Sequence, residues 1–173
     1  GQTPQPGREQ KSRGLWRDLI ETVLMAVVLF LLLNAVTSRV RVYNISMQPT
    51  LYEGNLRVVN KFAYKLGTPK RGDIVIFHYQ GTPTEDYIKR VIGLPGDTVN
   101  ISNGVVQVNG QTLTEPYIAA LPKYTGTWMV PEGELFVLGD NRNLSSDSHE
   151  WGFVKQEWIV GKAVLVYWPL DRI

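Results

Sequence analysis

The 173-residue chain has no cysteine and only two histidines, His78 and His149. No disulfide can form, a thiolate nucleophile is excluded, and a zinc site would have to be built from those two imidazoles and carboxylates. The missing cysteines do not name a compartment, because a reduced cytosolic protein and an exported protein without disulfides share that lack. An excess of one charge is missing too. Lys+Arg 18 against Asp+Glu 16 leaves a formal net charge of +2, far from the basic excess that nucleic-acid binding needs. Nucleic acid is not an expected partner. At this length the chain supports one catalytic or binding unit with its own core, and not two large ones. It shows no internal repeat.

What is present begins with Val23–Leu33, VLMAVVLFLLL, inside an uncharged stretch of 17 residues from Thr22 to Ser38. With a rise of about 1.5 Å per residue against a hydrocarbon core of about 30 Å, a spanning helix would also take in Leu19 and Ile20. Arg8, Lys11, Arg13 and Arg17 precede it, a basic bias that puts the N-terminus in the cytoplasm and the remainder outside. A cleaved secretory signal would share the basic start and the small residues near Ser38. The length of the run and the immediate Arg39 and Arg41 favour an uncleaved anchor. The division expected is a polar, unstructured tail over 1–18, rich in Gly, Pro and Gln, an anchor over 19–38, and an extracytoplasmic unit over 39–173.

After Val40 the pattern is that of strands, with short Val/Ile/Tyr/Phe runs set off by Gly, Pro and Asn. The runs are Val40–Asn44, Leu56–Asn60, Asp73–Tyr79, Tyr87–Ile92, Thr98–Ser102, Val105–Val108, Glu134–Leu138 and Ala163–Trp168. Asn103-Gly104 and Asn109-Gly110 are hairpin dipeptides, so Thr98 to Leu113 reads as a small meander. Helix is expected only as a turn near Lys155–Ile159. The fold class is therefore all-β, an antiparallel barrel-like unit of several short sheets behind one N-terminal transmembrane helix.

Ser46 follows an extended segment, and Pro49 biases Gln48 away from helix, so the serine lies where a strand gives way to a turn. A serine becomes a nucleophile only beside a base. Neither histidine has an orienting constellation in sequence, which leaves a Ser-His-Asp triad open without suggesting it. In an extended Tyr87–Ile92, Lys89 shares a face with Tyr87 and Val91, while Ile88, Arg90 and Ile92 face the other way. If that face is buried, desolvation lowers the lysine pKa by several units and makes the amine a base near neutrality. An edge-strand lysine in water is the competing reading. The Asp- and Asn-rich loop Gly139–Gly152 fails the EF-hand pattern, since Arg142 and Leu144 would occupy ligand positions.

Four clusters, SMQPTL at Ser46–Leu51, RGDIVIF at Arg71–Phe77, YIKRVIGLPGD at Tyr87–Asp97 and GDNRNLSSDSHEWG at Gly139–Gly152, resemble in content and order the motifs of type I signal peptidases. The resemblance spans nearly all of the chain after the apolar run. It implies a membrane-bound serine endopeptidase with Ser46 as nucleophile and Lys89 as general base, forming an acyl-enzyme with no cofactor. It further implies that Ser145 orients the lysine amine and that Asp147 belongs to the same supporting network. The implied oxyanion hole uses the Ser46 backbone N–H with the side chain two residues earlier, often a hydroxyl in that family and here Asn44. His149 stands where an arginine commonly follows, and imidazole makes its pairing with the aspartate pH-dependent.

The substrates implied are signal peptides of exported preproteins, bound as an added strand so that the first and third residues before the cut enter neighbouring pockets. Ala-X-Ala is the implied preference, with Val42, Tyr43, Met47, Leu51, Tyr87 and Ile88 as wall residues; for each, plain core packing is the alternative. The implied location is the outer face of a bacterial cytoplasmic or thylakoid-type membrane, with the bilayer itself as a partner. Related alternatives are a peptidase that matures pilins or conjugation proteins, a self-cleaving repressor with the same dyad, and an inactive anchored scaffold of the same fold. The apolar helix argues against the repressor. Oligomeric state is not legible.

Overall fold

The computed structural model describes residues 9–41, 45–53, 56–61, 63–65, 67–79 and 85–168. The chain divides between Val36 and Thr37 into two compact units. The first holds one helix, α1 (Glu9–Val36). Its stretch Gly14–Ala35 is long and apolar enough to cross a membrane, and every described side chain along it is exposed. Residues 9–18, expected in the unstructured tail, belong to this same helix. The local reason is visible one turn later, where Arg17 and Glu21 pair at 3.1 Å across i,i+4 and extend helical support beyond the apolar run.

The second unit carries eleven strands among its described residues. They are β1 (Thr37–Arg41), β2 (Leu56–Asn60), β3 (Ile74–His78), β4 (Asp86–Gly93), β5 (Thr98–Ser102), β6 (Val105–Val108), β7 (Gln111–Thr112), β8 (Gly126–Met129), β9 (Glu134–Leu138), β10 (Val154–Lys155) and β11 (Ile159–Trp168), with a one-turn helix α2 (Ser148–Trp151) before β10. The antiparallel class holds, but the strands form two open sheets rather than a closed barrel. One runs β1-β2-β11-β3-β4-β9-β10 and the other β7-β6-β5-β8. The meander forms as expected, with Asn103 and Asn109 at φ 51° and 52° followed by Gly104 and Gly110 at 77° and 79°, the backbone of type I′ hairpin turns. A turn of 3-10 helix occupies Gln156–Trp158.

The long apolar runs of β3, β4 and β9 reflect burial on both faces of the large sheet. Val75, Phe77, Val91, Leu135 and Val137 fill one core cluster with Val154. Ile76 and Ile88 face another with Met47, Leu51, Val59 and Ala163, while Phe136 and Leu138 pack under the small sheet. Each such side chain contributes about 1.5–3 kcal/mol on burial.

Two of the four motifs hold this frame together. Asp73 of RGDIVIF accepts from Tyr64 Oη at 2.9 Å, the Lys70 amide at 3.1 Å and Lys162 Nζ at 2.6 Å. Burial acts to raise its pKa, and these donors overcome that and hold the carboxyl below its usual range. Asp97 of the LPGD turn binds the Leu94 amide and Asn109 Nδ2, both at 2.7 Å, and pairs with Arg71.

Candidate active site

Ser46 lies in a turn over residues 45–50, closed by Gln48 N–H to Ile45 O at 3.1 Å and Leu51 N–H to Met47 O at 2.8 Å. Met47 and Leu51 have no exposed surface, so the turn is bolted to the core on its inner side. From outside, the Asn141 amide donates to Ser46 O at 3.0 Å and its side chain to Ile45 O at 3.2 Å. The serine itself is 5 % exposed.

Lys89 sits on β4, paired to Val75 of β3 on one side of a strand whose other neighbour is β9. It is an interior-strand lysine, 1 % exposed, so the edge-strand reading falls. Its Nζ lies 2.7 Å from Ser46 Oγ and 5.7 Å from the Tyr87 ring centroid. Burial pulls its pKa from 10.5 down to about 8, with the charge of Asp147 acting in the opposite direction. An amine so placed is available to take a proton from a hydroxyl it already touches.

The loop after β9 wraps the pair. Beyond the short pairing with β10, the free amides of β9 are met by side chains instead of a strand. Val137 N–H donates to Ser148 Oγ at 2.9 Å and Gly139 N–H to Asp147 Oδ2 at 2.8 Å. Asp147 also caps α2, accepting from the His149 amide. Gly139 faces both Ser145 and the Ser46 carbonyl, and a Cβ there would collide with each. Ser145 is 6 % exposed, and its Oγ makes no hydrogen bond among the described residues. It is thus beside the Ser46 backbone, with an unspent hydroxyl, and not bonded to Lys89.

Of the expected wall residues, Met47, Leu51 and Ile88 belong to one core cluster, and Tyr87 is half-buried and stacked on Tyr79 at 4.7 Å. Val42, Tyr43 and Asn44 lie outside the described residues. Sequence reasoning assigned no role to the charged groups that brace the loop. Arg90 binds Asp140 through Nε at 2.8 Å and Nη2 at 2.7 Å, and its guanidinium lies 3.9 Å from the Tyr117 ring centroid. Arg142, 1 % exposed, binds Glu115 bidentately at 2.8 and 2.7 Å and the Gly139 carbonyl at 3.2 Å. The available signal was the placement of Arg90 and Arg142 inside apolar or Gly/Asn-rich motifs, where an unpaired cation is untenable.

The family model described as "Signal peptidase, peptidase S26" matches residues 16–168. The chain belongs to that family. It is 42 % identical over 184 residues to a signal peptidase I of Leptolyngbya laminosa, covering 99 % of this chain and 91 % of the relative. A probable signal peptidase I-2 of Synechocystis is 41 % identical, with 96 % and 79 % covered. The solved signal peptidase I of Enterococcus faecalis matches at a TM-score of 0.50 and 36 % identity, over 57 % of this chain and 98 % of that one. The buried Ser46–Lys89 contact lies within the residues that the family model matches.

Proposed function

We propose that the chain is a membrane-anchored signal peptidase I that cleaves exported preproteins after Ala-X-Ala-type sites, with Ser46 as nucleophile and Lys89 as general base. The observation that carries this reading is the 2.7 Å approach of Lys89 Nζ to Ser46 Oγ in a site where both are buried. The neutral amine takes the Ser46 proton as Oγ adds to the scissile carbonyl. The resulting oxyanion is held by the Ser46 backbone N–H, with the Asn44 amide as second donor; one such donor is worth about 2.7–4 kcal/mol. The lysine then passes its proton to the leaving amine, takes one from water, and lets the hydroxide release the acyl group. Asp147 acts on the amine from the loop, and Ser145 stands beside the Ser46 backbone. Tyr87 and Ile88, with Val42 and Tyr43, shape small pockets for the residues first and third before the cut, and Met47 and Leu51 back the Ser46 turn from the core.

The helix Gly14–Ala35 supports the anchor, with the N-terminus in the cytoplasm and residues 39–173 on the outer face of the membrane. No cofactor enters the scheme. The test is cleavage of a preprotein by detergent-solubilised protein. Ser46→Ala and Lys89→Ala are expected to abolish it, and product from either variant at the wild-type rate refutes the dyad. A reporter fused after Ile173 should be active only on the exported side; cytoplasmic activity would overturn the orientation.

A further inference from the structure

Residues 113–125, between β7 and β8, form a strap over the loop that follows β9. Glu115 pairs with Arg142, and the Arg90 guanidinium lies over the Tyr117 ring. Further along, Asn143 accepts from the Lys123 amide at 2.9 Å and donates to Leu121 O at 3.0 Å. Tyr124 then stacks on His149, with centroids 3.8 Å and planes 8° apart. Between these anchors strap and loop enclose a pocket of 470 Å³, inside the range of about 300–1,000 Å³ typical of ligand sites. Lys123 and Tyr124 line it from the strap, Arg142 and Ser145 from the loop, and His149 and Glu150 from α2.

Two hydroxyls of these lining residues, Tyr124 Oη and Ser145 Oγ, are buried without a hydrogen-bond partner among the described residues, and Ser145 is 6 % exposed. A buried hydroxyl left unmet is a standing cost that a bound acceptor removes. Of the charged groups, Arg142 is engaged bidentately by Glu115, and Glu150 stands 3.8 Å from His149 Nε2. Lys123 is exposed and has no ion pair among the described residues.

The register of the large sheet decides which part of a substrate meets this pocket. Among the described residues β4 pairs with β9 only from Arg90↔Leu138 onward, so Asp86–Lys89 keep an unpaired edge on that side. A peptide added there lies in line with β9, and its end nearest Arg90 runs against Gly139, where the loop begins. Ser46 lies at this junction. Its Oγ is 2.7 Å from Lys89 Nζ, and a Cβ on Gly139 would collide with both its carbonyl and Ser145 Oγ. With the residues before the cut against Tyr87 and Ile88, those after it leave the sheet at the loop and pass Ser145 toward the strap.

We propose that this pocket binds the residues that follow the scissile bond, with Lys123 selecting a carboxylate side chain there and Tyr124 Oη donating to an oxygen of the same segment. This rests on the reading of Ser46 as the nucleophile. The test uses the full chain in detergent with synthetic peptides that span the cut and differ only in Glu, Ala or Lys at each of the first three positions after it. At one of these positions wild-type kcat/KM should favour Glu over Lys by about fivefold, the scale of one solvent-facing ion pair. Lys123→Glu should reverse that preference, and salt at about 0.5 M should weaken it in both proteins. Tyr124→Phe keeps the ring on His149 and should raise KM for the Glu peptide about threefold with kcat within about twofold of wild type, the mark of lost binding. A hydroxyl with a structural role alone would move Tm and leave KM where it was. A Glu-to-Lys ratio equal in wild type and Lys123→Glu at all three positions overturns the inference, as does an unmoved KM in Tyr124→Phe. Cleavage of the Ala peptide persisting in Ser46→Ala would instead sink the nucleophile assignment, a separate outcome.

Discussion

Lys89 and Arg90 are adjacent on β4, both basic and both buried, yet they look out on opposite faces of the same strand. On one face Arg90 is given everything a guanidinium needs: a bidentate carboxylate at 2.7 and 2.8 Å, the Gly72 carbonyl at 2.9 Å and the Tyr117 ring. On the other, Lys89 meets a serine hydroxyl at 2.7 Å, and its pKa falls to about 8. A buried cation that cannot lose its proton must be paired; one that can is able to neutralise instead. The difference teaches which of two neighbouring charges holds the fold and which is free to react.

The largest effect that would break the comparison is on the lysine side. Lys89→Met should lower kcat/KM by about a thousandfold or more, while thermal unfolding shows a Tm at or above wild type, because a desolvated amine has been replaced by an apolar chain of similar length. The linkage has a definite sign. Between about 8 and 10.5 the unfolded chain holds a proton that folded Lys89 lacks, so wild-type stability rises with pH across that window. The methionine variant should lose this rise.

Arg90→Leu should do the reverse, leaving Asp140 buried and alone. A loss of about 3–5 kcal/mol is expected, read as a fall in Tm of about 10 °C or more. Gly139→Ala tests the packing behind Ser46, since its methyl meets Ser145 and the Ser46 carbonyl. Overpacking should cost about 1–3 kcal/mol in chemical denaturation, and, with Ser46 as the proposed nucleophile, its displacement should cost about 100-fold in kcat. The smallest effect lies outside both faces. Asn103→Ala, at a left-handed turn position in the small sheet, should cost about 1 kcal/mol in stability and leave kcat/KM unchanged.

Much of the architecture was legible because its signals are local. β2, β5, β6 and β9 begin and end where their Val/Ile runs do, and the two Asn-Gly turns fixed the register of the meander. What sequence could not show was set by distant partners. β7 and β10 are two residues long and exist only as pairing partners, β8 carries a glycine and exposed alternate residues, and α2 is a single turn whose cap is Asp147. In the site, Ser46 and Lys89 were named from motifs, but composition alone could not distinguish an interior lysine from an edge one. That required knowing that β9 pairs with β4 from the far side. The Arg90–Asp140 and Arg142–Glu115 pairs span 50 and 27 residues of sequence, beyond the reach of any periodicity.

The most direct test of Lys89 as a neutral buried base is the pH dependence of kcat/KM on a preprotein substrate, which reports the ionisation of the free enzyme. The account predicts activity that rises from acid and levels off with an apparent pKa of about 8, the rise abolished together with activity in Lys89→Ala. A rate unchanged down to about pH 4, or a midpoint near the 10.5 of a solvated lysine, would contradict it.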